Sequence, residues 1–141
     1  MITATQRIIA YGHPEITAMH PSTLEVTTID ELTRAGDCII AVGADTGAAD
    51  LDTHFRDVLS HDDAILITTL ICNERTVTIT SRGSSLQVFD NPHDLVWRRS
   101  GFVCGRTIGI NSSHTARTIP REIVSDLQAG ALIEIILCAR V

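Results

Sequence analysis

Apolar and polar residues alternate along much of this chain, and the alternation is the first guide to its elements. Thr23-Leu-Glu-Val-Thr27 shows the period-2 pattern of a half-buried strand. Further strands are predicted at Gln6–Gly12, Cys38–Val42, Ala64–Cys72, Thr76–Arg82, Leu95–Arg99, Arg106–Ile110 and Ala131–Ala139. Asn73-Glu-Arg75 separates two alternating runs and reads as a hairpin turn. Asp30–Gly36 is a polar turn or a single helical turn, and Asn91–Asp94 is a turn. Helical spacing marks Ala48–Leu59 and Pro120–Gln128, the second opened by Pro120 and stopped by Gly130. His13-Pro14 and His20-Pro21 belong at bends or sheet edges, because proline lacks a donor and restrains the residue before it.

Two stretches of the pattern superimpose. With Ile40 placed on Ile108, Val42 falls on Ile110, Ala48 on Ala116, Leu51 on Ile119, Phe55 on Ile123, Leu59 on Leu127, Ile65 on Ile133 and Ile67 on Ile135. These apolar matches predict that equivalent faces are buried, and that a strand–loop–helix–strand unit occurs twice. The pseudo-repeats run from about 36 to 72 and from about 104 to 139, within a single domain spanning 1–141. The expected fold is α+β and β-rich: a mixed, curved sheet of pseudo-twofold symmetry, with the option of closing into a barrel. Two outer helices would serve as right-handed crossovers between parallel neighbours. A polar cleft at the seam of such a duplication is the natural place for a site.

Composition narrows the classes. A chain of 141 residues with 44% hydrophobic and 20% charged residues buries a proper core. No apolar run reaches the ~18–20 residues of a membrane span, and Met1–His13 lacks a signal-peptide layout. A cytoplasmic protein with no membrane partner is expected. Cys38, Cys72, Cys104 and Cys138 are scattered without a Cys-x-x-Cys pair, so metal ribbons and redox motifs are unsupported. They read as reduced packing residues, with Cys104, between Val103 and Gly105, the best candidate for an exposed thiol.

Lysine is absent, and all eleven basic residues are arginine. This rules out a Schiff-base lysine and a P-loop lysine, leaving anion handling to Arg, His, hydroxyls or backbone N–H groups. The net charge of −6 is unevenly spread. Residues 1–70 carry three arginines against eleven acids, and residues 71–141 carry eight against six. A wholly basic nucleic-acid face is not expected.

Three constellations carry candidate chemistry. His13, His20 and Glu25 are proper ligand types for zinc or iron. On one straight strand, however, the two histidines would stand ~23 Å apart. Unless the prolines fold them together, each would bond a local carbonyl at its bend. The loops Gly43–Gly47 and Asn111–Thr115 lead from strands into helices, where free N–H groups suit phosphate or carboxylate. Ser112, Ser113 and His114 make the second loop the better candidate, since Asp45 repels an anion from the first. Ordinary capping by Asp45, Thr46, Ser112, Ser113 or Thr115 is the alternative.

Third, Trp97-Arg-Arg-Ser100 through Arg106-Thr107 offers guanidinium forks, with Arg98 and Ser100 on one face. The alternative is internal pairing of an arginine with Glu25 or Asp37. Asp37-Cys38 is expected to be a buried, inert thiol, because a neighbouring negative charge opposes the thiolate.

The strings Gly12-His-Pro14, His20, Thr23-Leu-Glu-Val-Thr27, Leu32-Thr33, Gly36-Asp-Cys-Ile-Ile40, Arg98-Arg-Ser100 and Arg106-Thr107 resemble a small archaeal family, domain of unknown function 371. The resemblance runs from about Ile8 to the C-terminus and implies an archaeal, cytoplasmic protein. The family pattern places an Ala-Asp-Lys-Ala-type string in each repeat loop. Here the matching stretches are Ala44-Asp-Thr-Gly-Ala48 and Ser112-Ser-His-Thr-Ala116, with Thr46 and His114 in the lysine positions. Gly101 stands where the pattern has an acid.

No complete catalytic signature is present. The leading expectation is binding, with the option of turnover, of a small anionic or nucleotide-like ligand where the repeats meet. Arg98, Ser100, Arg106, Ser112 and Ser113 would contact it, and His114 would act as a polar or proton-transfer group. His13, His20 and Glu25 would form the opposing wall. Any catalysis would be acid–base chemistry by histidine and carboxylate, without a cofactor. A second reading is a noncatalytic RNA- or protein-binding module using the Trp97–Arg106 strip, which calls for an exposed Trp97. A third is a homo-oligomer that associates through an uncovered sheet edge.

Overall fold

The computed structural model describes Met1–Val141 as two four-stranded sheets with two short helices. The strands are β1 (Thr3–Tyr11), β2 (Thr23–Thr27), β3 (Ile39–Ala41), β4 (Ile65–Cys72), β5 (Arg75–Arg82), β6 (Asp94–Arg98), β7 (Thr107–Gly109) and β8 (Leu132–Arg140). The helices are α1 (Thr53–Leu59) and α2 (Arg121–Gln128). The first sheet has the order β1-β8-β4-β5 and is antiparallel throughout. The second has the order β3-β2-β6-β7, with an antiparallel β2–β6 centre and parallel outer pairs. The α+β class and the predicted hairpin are as expected, the hairpin turning on Asn73 and Glu74 in left-handed backbone.

The sheets do not close into a barrel. They touch at two single bridges, Tyr11–Val42 and Arg82–Ile110. The chain turns away immediately after each, at Gly43 (φ +61°) and Asn111 (φ +50°), so neither ladder can continue.

The helices are not crossovers between parallel neighbours either. Each carries the chain from the second sheet into the first, α1 from β3 to β4 and α2 from β7 to β8. The parallel pairs are joined instead by the irregular segments 28–38 and 99–106. Nor is Ala48–Leu59 one helix. A 3-10 turn at Ala48–Asp50 ends on extended Leu51 before α1 begins. The same arrangement occurs at Ala116–Thr118, where Pro120 forces extended backbone on Ile119.

Burial alternates strictly along β4 and β8, and a 33-residue cluster forms the core. Leu66, Leu70, Ile133, Ile135 and Leu137 point inward, and the helices add Phe55, Leu59, Ile123 and Leu127. Ile65 and Ile67 lie on the opposite, half-buried face, so they are not the counterparts of Ile133 and Ile135. Five residues separate Leu59 from Ile65, but only four separate Leu127 from Leu132. A one-residue slip flips every side chain of a strand, which is what the expected register missed.

Candidate functional site

The second sheet places its chemistry on its outer face. Leu24, Val26, Leu95 and Trp97 point to the core, so Thr23, Glu25, Thr27, Asp94, Val96 and Arg98 point away from it. Alternation of this kind predicts a solvent-facing polar row. Glu25 is nevertheless only 5% exposed and Thr27 only 3%. The two segments that join the parallel strands lie against this face, one bringing Cys38 and the other Cys104 and Arg106.

Glu25 is the hub. Arg106 Nη1 donates to Glu25 Oε1 (3.1 Å) and also to Asp94 Oδ2 (3.4 Å). Cys38 Sγ donates to the same Glu25 oxygen at 3.8 Å. Burial, and then the neighbouring charge of Asp94, raise the Glu25 carboxyl above its ordinary value, while Arg106, Cys38 and Arg98 oppose the rise. Burial and the Glu25 carboxylate push the Cys38 thiol up to about 11. Cys38 is half-buried rather than buried, but its raised thiol fits the expected inertness, and the pairing of a second-half arginine with Glu25 is as expected.

A second group adjoins the hub. Arg98 Nε donates to Thr107 Oγ1 (3.1 Å) and Nη2 to Cys104 Sγ (3.4 Å), with the guanidinium carbon 4.9 Å from the centre of the Phe102 ring. The Cys104 N–H also donates to Thr107 Oγ1 (3.1 Å). Burial alone would raise the Cys104 thiol, but the Thr107 hydroxyl, the Arg106 N–H and the Arg98 guanidinium outweigh it and lower it to about 7.

The other candidates are engaged elsewhere. His13 Nδ1 accepts the Glu15 N–H (3.0 Å) and His20 Nδ1 accepts the Ser22 N–H (3.2 Å). Both histidines thus sit at proline bends with local partners, an N–H rather than the expected carbonyl. Neither reaches Glu25, and no three His, Cys, Asp or Glu side chains are placed to share a metal ion.

Ser112 is buried against Ser81 (Oγ to Oγ 2.7 Å), and Ser113 Oγ accepts the Thr80 N–H (3.0 Å). His114 Nδ1 lies 3.0 Å from Ser113 Oγ, and Ser100 Oγ accepts the Phe102 N–H (3.3 Å). These hydroxyls tie the second loop and the end of β6 in place. The backbone of that loop does lie beside the cluster, since Ser112 N–H donates to the Arg98 carbonyl (2.9 Å).

The Trp97–Arg106 strip also changes character. Trp97 is fully buried, and its Nε1–H donates to Thr68 Oγ1 at 2.8 Å. It therefore has no face for a base, which counts against the RNA reading. Because Trp97 is the sole tryptophan, native fluorescence should be blue-shifted and resist iodide quenching, with both properties lost together in denaturant. Emission near the free-indole maximum in the folded protein is the contrary result. Sequence reasoning gave Asp94 and Phe102 no part in a site and reached Thr107 only as the end of the arginine strip. That strip, the pairing of an arginine with Glu25 and the exposed-thiol reading of Cys104 were the pointers available.

The arrangement defines an α+β protein with an apolar core between two sheets and a semi-buried ionic cluster on the outer face of one of them. The chain belongs to the family described as Domain of unknown function (DUF371), which matches residues 8–140. It is 36% identical over 123 residues to an uncharacterized protein of the archaeon Methanocaldococcus jannaschii, covering 87% of this chain and 90% of that one. No helix is long and apolar enough to cross a membrane.

Proposed function

We propose that the chain binds a small anionic ligand, bearing a phosphate or carboxylate group, at the guanidinium of Arg98. One observation carries this reading: Arg98 is held in place with no carboxylate paired to it. Thr107 and Cys104 fix two of its nitrogens and Phe102 lies beneath it, yet Nη1 makes no bond within the protein and no carboxylate pairs with the group. Arg106 differs, being already committed to Glu25 and Asp94. A pre-oriented, half-buried guanidinium loses little entropy on meeting an anion and offers it a planar donor edge. The reading keeps Arg98 as the contact, makes Arg106 and Glu25 its support, and leaves His13 and His20 outside.

Titration calorimetry with inorganic phosphate and pyrophosphate tests it. A saturable heat and a rising Tm are expected in the native protein, and both should vanish in Arg98→Gln. A ligand at one hundred times its Kd should add about 2.7 kcal/mol to stability. Equal responses from the native protein and Arg98→Gln would discard the reading.

The location has a structural logic. We infer that the chain is an internal duplication, β1–β4 matching β5–β8, and several paired hydrogen bonds support this. Asp45 N–H donates to the Ile9 carbonyl (3.0 Å) and Ser113 N–H to that of Thr80 (2.9 Å). Glu25 N–H donates to the Cys38 carbonyl (2.9 Å) and Val96 N–H to that of Arg106 (2.8 Å). Thr28 N–H reaches across to His93 (2.9 Å), as Arg99 N–H reaches back to Ser22 (3.0 Å).

Four of the seven left-handed residues pair as well, Ala18 with Phe89 and Gly43 with Asn111. On this reading Glu25 and Val96, opposite one another in β2–β6, are equivalent, and the pseudo-axis passes between them. Cys38 and Arg106 are then equivalent too, and both reach for the single Glu25. Four cysteines without a disulfide suit a reducing, cytoplasmic compartment.

A further inference from the structure

The same cluster sets the state of a thiol. Thr107 is fully buried, and its hydroxyl oxygen accepts from both Arg98 Nε–H and Cys104 N–H, each at 3.1 Å. Both lone pairs are thereby used, so the hydroxyl proton is left to donate. Its available acceptor is Cys104 Sγ, 3.5 Å away. Arg98 Nη2–H points at that sulfur from 3.4 Å. Two side-chain donors therefore converge on one sulfur atom, an arrangement that suits an anion, and the Arg106 backbone N–H favours its charge as well.

Arg98 has no carboxylate within ion-pairing distance, and the Cys104 sulfur is the acceptor its Nη2–H reaches. The other thiol of the cluster makes the contrast, because Cys38 Sγ donates its proton to Glu25.

We propose that Cys104 is a nucleophilic thiolate, oxidised by hydroperoxides to a sulfenic acid. The thiolate lone pair attacks the nearer peroxide oxygen, forming an S–O bond as the O–O bond breaks. The bonding pair leaves with the far oxygen as hydroxide, or alkoxide from an organic peroxide, which takes a proton from solvent. Sulfur is oxidised and the peroxide reduced. The free Nη1–H of Arg98 is the donor available to the departing oxygen. The proposal shares Arg98 with the anion-binding reading but does not rest on it, since peroxide carries no charge.

The test exposes the full chain to hydrogen peroxide at neutral pH, traps sulfenic acid with dimedone, and maps the label by mass spectrometry. Cys104 is expected to be labelled ahead of Cys138, which is also half-buried but has no donors on its sulfur. Alkylation by iodoacetamide supplies the second readout. The pH midpoint for Cys104 should lie near 7 and climb toward the ordinary thiol value of about 8.5 in Arg98→Gln and Thr107→Val. Arg98→Lys should restore part of the shift, and Trp97 emission reports whether each variant is folded. Labelling of Cys104 no faster than Cys138 overturns the proposal. So does a midpoint that stays put in both folded variants.

Discussion

Gly12→Ala is expected to remove much of the stability of the fold, and Gly83→Ala to do the same. A Cβ at position 12 would stand 1.8 Å from the Leu127 carbonyl oxygen, and one at position 83 would stand 2.1 Å from that of Leu59. Both oxygens belong to the last turn of a helix, α2 and α1 respectively, whose side chains Leu127 and Leu59 are fully buried. Neither carbonyl can retreat without pulling its helix out of the core. Contacts of this kind cost on the order of 4 kcal/mol or more, against a total stability of about 5–15 kcal/mol for a domain.

Gly130→Ala is the control. Nothing lies within 4 Å of its added Cβ, and only the φ of +87° is strained, so a loss of about 1 kcal/mol is expected. Urea unfolding followed by Trp97 fluorescence measures all three. A loss below 1 kcal/mol at position 12 or 83 would show that the helix ends can give way. Unequal losses at the two glycines would weaken the internal duplication, under which they are the same position in successive copies.

The strands were legible because alternation is a local property. Thr23–Thr27 has the same bounds in the structure as in the pattern, and most other strands differ by a residue or two. What failed was non-local. Whether Ile65 or Leu66 faces inward depends on the length of the preceding loop, because both belong to one unbroken apolar run. Helices that move the chain between sheets look the same in sequence as helices that return it to one.

The site was legible in part for the same reason. Arg106 and Glu25 are far apart in the chain, and only the contrast between an acidic first half and a basic second half hinted at their pairing. The buried polar face of β2 was hidden, because strand alternation carries no record of which loop will cover it. The convergence on Cys104 depends on the carboxyl-side neighbours Arg106 and Thr107 and on Arg98 from the adjacent strand, an arrangement that matches no short motif.

Arg106→Ala is the second variant expected to cost a great deal, and its cost should grow with pH. Removing Arg106 leaves Glu25 buried beside Asp94 with only the Cys38 thiol and the more distant Arg98 to favour its charge. Stranding one partner of a fully buried ion pair costs about 3–5 kcal/mol. The Arg106 side chain is 40% exposed, and water can enter the space it leaves, so roughly 2 kcal/mol at pH 8 is the better expectation. The Glu25 carboxyl is already raised in the folded protein, which therefore holds its proton more tightly than the unfolded chain does. Stability from such a group is complete below the unfolded pKa and is lost as pH rises through the folded one. Arg106 opposes that rise, so its removal moves the folded value higher still and deepens the loss at neutral and alkaline pH. At pH 5 the penalty should be smaller than at pH 8, because lower pH favours the protonated form of the raised Glu25 carboxyl. Glu25→Gln in the Arg106→Ala background removes the stranded charge and should recover most of the difference at pH 8. Urea unfolding at the two pH values separates the cases. A penalty independent of pH, or one that Glu25→Gln leaves untouched, would assign the loss to packing of the Arg106 stem rather than to its charge.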